Sequence, residues 1–104
     1  MKTENPITTD LLEWQGIILS VSCQRGYAGV EGLTHLSIHV LEPSTSKLPI
    51  TETGYRSHFL SEAEVAEFGG PVGYVRAWLD AEAATPKWRA QEATSRQLNL
   101  FQRP

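Results

Sequence analysis

The residues best suited to chemistry lie close together near the middle of the chain, in residues 51–59. Glu52, Tyr55, Arg56 and His58 supply a carboxylate, a phenol, a guanidinium and an imidazole within seven positions. Such groups can bind a phosphate or a peptide, and a base beside a hydroxyl can activate a nucleophile. The simpler alternative is structural, with rings that pack on a sheet and polar groups that bond within a turn. We therefore treat these four residues as a candidate binding surface.

Metal and cofactor chemistry is not expected. His35 and His39 are four positions apart in a segment that alternates like a strand, where that spacing spans about 13 Å and prevents both from holding one ion. The single cysteine, Cys23, excludes an internal disulfide and a cysteine-built zinc site. There is no nucleophile elbow, phosphate-binding loop or dinucleotide fingerprint. We expect no cofactor, no metal and no catalytic residue.

A second candidate region is the polar tail formed by residues 97–104. It carries three large apolar side chains, Leu98, Leu100 and Phe101, at the end of the sequence. Terminal segments are usually solvated, so apolar groups there imply docking either onto the parent domain or onto a partner. The sequence leaves both alternatives open.

The tail resembles a known docking peptide. The string Gln97-Leu98-Asn99-Leu100-Phe101 is similar to the Gln-Leu-Ser/Asp-Leu-Phe peptide with which many bacterial replication and repair proteins bind the polymerase sliding clamp; Asn99 is the one departure. The resemblance implies that Leu98 fills one pocket, that Leu100 and Phe101 share a larger one, and that Gln97 bonds at the rim. Each apolar side chain would contribute about 1.5–3 kcal/mol at most. Much of this is offset by ordering the tail, so an affinity on the order of micromolar follows.

Composition favours one small soluble domain. The chain has 104 residues, no apolar run of the ~20 residues that a membrane helix needs, and no signal-peptide core at its start. We expect a cytoplasmic protein with no membrane association. Residues 1–86 carry a formal charge of −6 and residues 87–104 one of +3. An acidic body argues against direct sequence-specific binding of nucleic acid, and we expect a protein partner.

Two segments alternate as strands with one buried face. In the first, Ile17, Leu19, Val21 and Cys23 share a face; in the second, residues 33–41, Leu36, Ile38 and Val40 do. The glycine-rich connection between them is too short for a crossover helix, so the pair is expected to be antiparallel. Residues 48–53 are a candidate third, edge strand. Residues 1–12 are interpreted as an N-terminal arm.

Helices follow the strands. Ser61 and Glu64 form a capping box, so a short helix is predicted from Ser61 to the glycine pair at residues 69–70. Pro71 suits the first turn of a second helix, whose apolar residues recur at spacings of three and four. A weaker third helix is predicted over residues 86–96. The expected helix residues in the core are Val65, Phe68, Val75, Trp78 and Leu79.

These observations predict an α+β domain over residues 13–96. A small antiparallel sheet of two to three strands is followed by two to three helices packed on one face, with a flexible tail over residues 97–104. The leading hypothesis is a non-enzymatic accessory protein that docks on the sliding clamp through Gln97, Leu98, Leu100 and Phe101. Residues 51–59 resemble stretches of uncharacterised proteins from bacterial plasmids and mobile elements. The alternative is therefore a self-contained binding or inhibitor protein of such an element, acting through residues 51–59, with the C-terminal residues packed on its own fold. A further alternative is a small enzyme that uses Tyr55, Arg56 and His58.

Overall fold

The computed structural model describes the backbone of residues 6–102 and the side chains of residues 6–94. Within residues 6–102, four strands precede three helices, with a short 3-10 turn at Tyr27–Gly29 between the second and third strands. The strands are β1 (Ile7–Trp14), β2 (Ile17–Arg25), β3 (Leu33–Glu42) and β4 (Tyr55–Ser61). The helices are α1 (Glu62–Glu67), α2 (Pro71–Ala83) and α3 (Pro86–Gln102).

The sheet is an antiparallel meander in the order β1-β2-β3-β4. The predicted pairing of the two alternating segments is confirmed, since Val21 lies opposite Ile38 and Cys23 opposite Leu36. Their side chains point to the same side of the sheet, where the helices cover them. The α+β class and the one-sided helical layer are therefore as predicted.

The strand count differs from the prediction, because residues 7–12 belong to β1 and not to an arm. A two-residue turn joins β1 to β2, with Gln15 and Gly16 at φ angles of 50° and 81°, the conformation that tight hairpin turns require. Leu12 is buried whereas Ile7 and Leu11 are exposed on the opposite side. Apolar residues thus occupy both sides of β1, which obscured the alternation expected of a half-buried strand.

The edge strand also lies later than predicted. Within residues 48–53 only an isolated bridge joins Leu48 to Thr51, and the edge of the sheet is β4. Pro49 removes a donor from this segment. Leu48 and Ile50 are nevertheless buried, so the segment closes one end of the core as a loop.

The helix starts follow their local sequence signals. The Ser61 hydroxyl accepts a bond from the Glu64 N–H at 3.1 Å, and the capping box is complete. Gly69, at a φ of 82°, ends the first helical segment, and Pro71 begins α2. At the start of α3 the Thr85 hydroxyl accepts a bond from the Trp88 N–H at 3.3 Å. The backbone of α3 continues to Gln102, through most of the segment predicted as a tail.

The core lies between the sheet and α1–α2. Its helix contributions are Val65, Val75 and Leu79, with Trp78 partly buried against them. Phe68 was predicted in this set but is 46% exposed, because it follows α1 at the corner and its ring turns outward against Tyr74. The Trp14 Nε1–H donates to Asp80 Oδ1 at 2.8 Å, which ties β1 to α2.

Candidate functional site

Strand β4 distributes the predicted surface residues between the two sides of the sheet. Because side chains alternate along a strand, Arg56 and His58 face the helices, while Tyr55 and Phe59 face the uncovered side. Glu52 lies in the loop before β4. The structure thus brings Arg56 and His58 together and separates them from the Tyr55 ring, which packs against the His39 ring at 4.5 Å.

Arg56 is fixed by an aromatic ring and a backbone carbonyl. Its guanidinium carbon lies 5.2 Å from the centre of the Trp78 ring, within the range of a cation–π interaction. Its Nη1 donates to the Ile50 carbonyl oxygen at 3.1 Å. One cation therefore links the loop before β4 to helix α2.

His58 also contacts the ring of Trp78. Its ring centre is 4.4 Å from that of Trp78, and its Nε2 is 3.3 Å from the Tyr74 hydroxyl. Burial is the main reason that the pKa of His58 is lowered from 6.5, and the Arg56 charge lowers it further against an opposing effect of Glu64. Burial first, and then Glu64, raises the pKa of the Tyr74 hydroxyl. At neutral pH the pair is therefore uncharged and joined by a neutral hydrogen bond.

A cavity of about 460 Å³ opens between the loop before β4 and the start of α3. Glu52 and Arg56 line one wall, and Glu82 and Lys87 line the other. Each wall thus carries one negative and one positive side chain. The site is open to solvent and mainly polar, and its volume lies within the range of small-molecule pockets.

The indole of Trp88 lines this cavity and has an unused donor. Its Nε1 is buried, and no acceptor among the described residues bonds to it. A buried N–H without a partner costs about 1–3 kcal/mol, so this indole nitrogen is a locally unfavourable feature of the packing beside the cavity.

Sequence reasoning found only part of this arrangement. It singled out Glu52, Tyr55 and Arg56, all three of which border the cavity, but His58 lies beside Tyr74 and Trp78 instead. It did not find Glu82, Lys87 or Trp88 as site residues. These come from α2 and α3, and no local pattern shows that the two helices meet this loop. The sequence signal that could have pointed to this part of the site was the basic character of the chain from Lys87 onward.

Helix α3 leaves the body of the protein soon after Trp88. Between residues 89 and 94 every side chain is exposed except that of Glu92, which is partly buried. The backbone of residues 97–101 is helical. The side chains of Gln97, Leu98, Leu100 and Phe101 lie outside the described residues.

Two further observations concern metal ions and membranes. Within the described part of the chain, no three His, Cys, Asp or Glu side chains come close enough together to hold a metal ion. In the same part of the chain, no helix combines the length and the apolar character needed to cross a membrane.

Comparison with known proteins identifies a family. Residues 7–88 match the family model described as KlcB third domain. The chain belongs to this family. The match runs from β1 to the first turn of α3, so it includes most of the cavity and ends before residues 97–101. Searches of curated proteins and of solved structures gave no significant match.

Proposed function

We propose that this member of the KlcB third-domain family is a non-enzymatic accessory protein that docks on the bacterial sliding clamp through Gln97, Leu98, Leu100 and Phe101. The observation that supports this most directly is the course of α3. Residues 89–94 are almost entirely solvent-exposed, so the helix carries the clamp-like sequence away from the folded body. A partner can approach that segment without displacing the core.

The helical backbone of residues 97–101 is compatible with this proposal. The clamp-binding peptide that they resemble binds in an extended form, so the last turns of α3 must unwind on binding. A helical segment that does not pack against the rest of the protein is only marginally stable in water. Unwinding these turns therefore costs little compared with burying three large apolar side chains.

The name of the family supports the proposal of an accessory protein of a mobile element. KlcB is associated with plasmids, and the family description makes the matched unit one domain among others. One domain of a multidomain protein can supply a binding function while the other domains carry different activities. The folded body would hold a second partner or block access of other proteins to the clamp.

Binding to a purified bacterial sliding clamp, measured by titration calorimetry, tests the proposal. We expect a dissociation constant on the order of micromolar for the full chain, and loss of binding in the Leu100→Ala/Phe101→Ala variant. The matched control is Gln91→Ala/Thr94→Ala, two exposed positions earlier on the same helix, which should bind like the parent chain. If the intact chain does not bind the clamp, the proposal fails.

The cavity beside Trp88 supports a second candidate function, a self-contained binding or inhibitor protein that acts through residues 51–59. The position of Trp88 in the lining of the cavity, beside residues 51, 52, 55 and 56, favours this alternative. Trp14 provides an internal reference, because its indole N–H is already bonded to Asp80. In a titration with small peptides followed by NMR, the indole resonance of Trp88 should move and that of Trp14 should stay, with Trp88→Phe assigning the signal. Equal or absent shifts at the two indoles would exclude the cavity as a peptide site.

A further inference from the structure

The uncovered face of the sheet has a regular arrangement of side chains. Registers across the four strands place its side chains in rows that run from β1 to β4. One row consists only of hydroxyl residues: Thr9, Ser22, Ser37 and Ser57. The rows on either side of it carry large apolar residues on the two outer strands: Ile7, Leu11, Tyr55 and Phe59. All four of these are exposed.

Formal charge is almost absent from this face. In the three rows from Ile7–Phe59 to Leu11–Tyr55, no residue is an Asp, Glu, Lys or Arg. Glu13 and Glu42 lie beyond them, next to Ile18 at one end of the sheet. The chain as a whole contains 20% charged residues, so a neutral surface of this extent differs from its average surface.

The chemistry of the face favours a protein over a nucleic acid. Binding of single-stranded nucleic acid combines aromatic stacking with cations that neutralise phosphates. The rings of Tyr27, His35 and Phe59 form a cluster with centres 4.6–5.2 Å apart, but the face presents acids at its end and no Lys or Arg in its rows. Depletion of charge and enrichment of aromatic residues are instead the marks of the centre of a protein interface.

We infer that this face is the interface between two copies of the chain, which associate sheet to sheet. A neutral apolar and hydroxyl surface is complementary to itself, as a two-fold interface requires. If the two-fold axis runs across the strands, the acidic end of one copy lies over the His35–Phe59 end of the other, and the acids do not face each other. Sheets packed in this way lie about 10 Å apart.

The area available limits the size of the interface. A sheet of four strands of about eight residues presents roughly 500 Å² of flat area on each copy. Because side chains protrude from this plane, the total area that the two copies bury reaches the low end of the range for specific interfaces. A reversible dimer with a dissociation constant on the order of micromolar is therefore expected.

Sedimentation equilibrium of the full chain over a wide concentration range is the test. The chain should shift from monomer to dimer, while Leu11→Glu and Phe59→Glu should remain monomeric. Both side chains are more than half exposed, at 67% and 51%, so these variants are expected to fold. Phe68→Glu is the matched control, because Phe68 is similarly exposed but follows α1 at the corner of the helical layer, and it should dimerise like the parent chain.

A cross-linking measurement keeps the inference open to refutation if a charge variant fails to fold. Cys23 is buried, so a single accessible cysteine can be added at a chosen position and compared. Ser37→Cys, in the hydroxyl row, should be joined into a covalent dimer by a bis-maleimide that spans the roughly 10 Å between packed sheets, whereas Ala81→Cys, exposed on α2, should not. A parent chain that stays monomeric well above micromolar concentration, or cross-linking at position 81 without position 37, would overturn the inference.

Discussion

The two faces of the sheet come from the same four strands but obey different constraints. On the covered face Leu19, Val21 and Leu36 are completely buried by the helices. On the uncovered face, hydroxyl and aromatic residues occupy the alternate positions of the same strands. The covered face is therefore fixed by the packing of the domain itself, whereas the residues of the uncovered face are free to serve a partner. Substitutions that distinguish stability from association test this comparison.

The largest effect is expected from a core residue of the helical layer that packs on the covered face. Leu79→Ala removes a fully buried side chain of α2 and should lower the free energy of unfolding by about 2–5 kcal/mol. Leu11→Ala makes the same chemical change on the uncovered face and should cost less than about 0.5 kcal/mol. Denaturant unfolding at low protein concentration, where association is absent, measures both. Similar losses would mean that the two faces contribute equally to stability.

The corner of the helical layer should be the next most sensitive position. A Cβ at Gly73 would lie 2.0 Å from the Phe68 carbonyl oxygen, so Gly73→Ala should destabilise the protein by about 1–3 kcal/mol despite the better helix propensity of Ala. Thermal unfolding monitored by circular dichroism would detect this. Ala81→Gly, at an exposed position of the same helix, reports propensity alone. A stabilised Gly73→Ala variant would show that α1 and α2 are not packed as closely as the structure has them.

A polar contact at the margin of the covered face should have a smaller effect. Asp80→Ala leaves the Nε1–H of Trp14 without its acceptor and should cost about 1–2 kcal/mol, since Asp80 itself is exposed and water can replace part of the bond. Asp80→Asn keeps an oxygen acceptor and should lose less. Urea unfolding of the two variants gives the difference. If they lose the same amount, the charge of Asp80 and not its bond to Trp14 is what matters.

The smallest predicted effect is a pH dependence from His58. Its pKa is lower in the folded than in the unfolded chain, where it is about 6.5. As the pH falls through 6.5, the unfolded chain therefore takes up a proton that the folded chain resists, and stability decreases. The contribution is fully present above the unfolded pKa. Unfolding free energies of the parent chain and His58→Gln, measured between pH 7.5 and 5, should converge or cross at acidic pH; parallel curves would contradict the assignment.

Local signals predicted much of the covered face. The capping box at Ser61 and Glu64, Pro71 at the start of α2, and the alternation in β2 and β3 each specify an element from a few adjacent residues. β1 was missed because Ile7 and Leu11 point away from the core while Leu12 points into it. An uncovered face that carries large apolar residues removes the contrast on which a strand prediction depends.

The candidate site was predicted less completely, and for a different reason. Arg56 and Glu52 stood out because they are adjacent in sequence to other polar groups. Their counterparts Lys87 and Glu82 reach the cavity only through the packing of α2 and α3. No spacing within one segment encodes such a meeting, so only the three-dimensional arrangement shows that the walls carry balanced charges.

The meander order of the sheet also has a kinetic consequence. Each strand pairs with its neighbour in sequence, through connections of two, seven and twelve residues, so closing these loops costs less entropy than pairing more distant segments. The bond between Trp14 and Asp80, by contrast, joins residues 66 positions apart. We expect the hairpins to form before the rate-limiting barrier and this closure after it. Asp80→Ala should then speed unfolding and leave the folding rate almost unchanged in stopped-flow measurements. The bond between Trp14 and Asp80 would thus hold β1 in place mainly by slowing the unfolding of the protein.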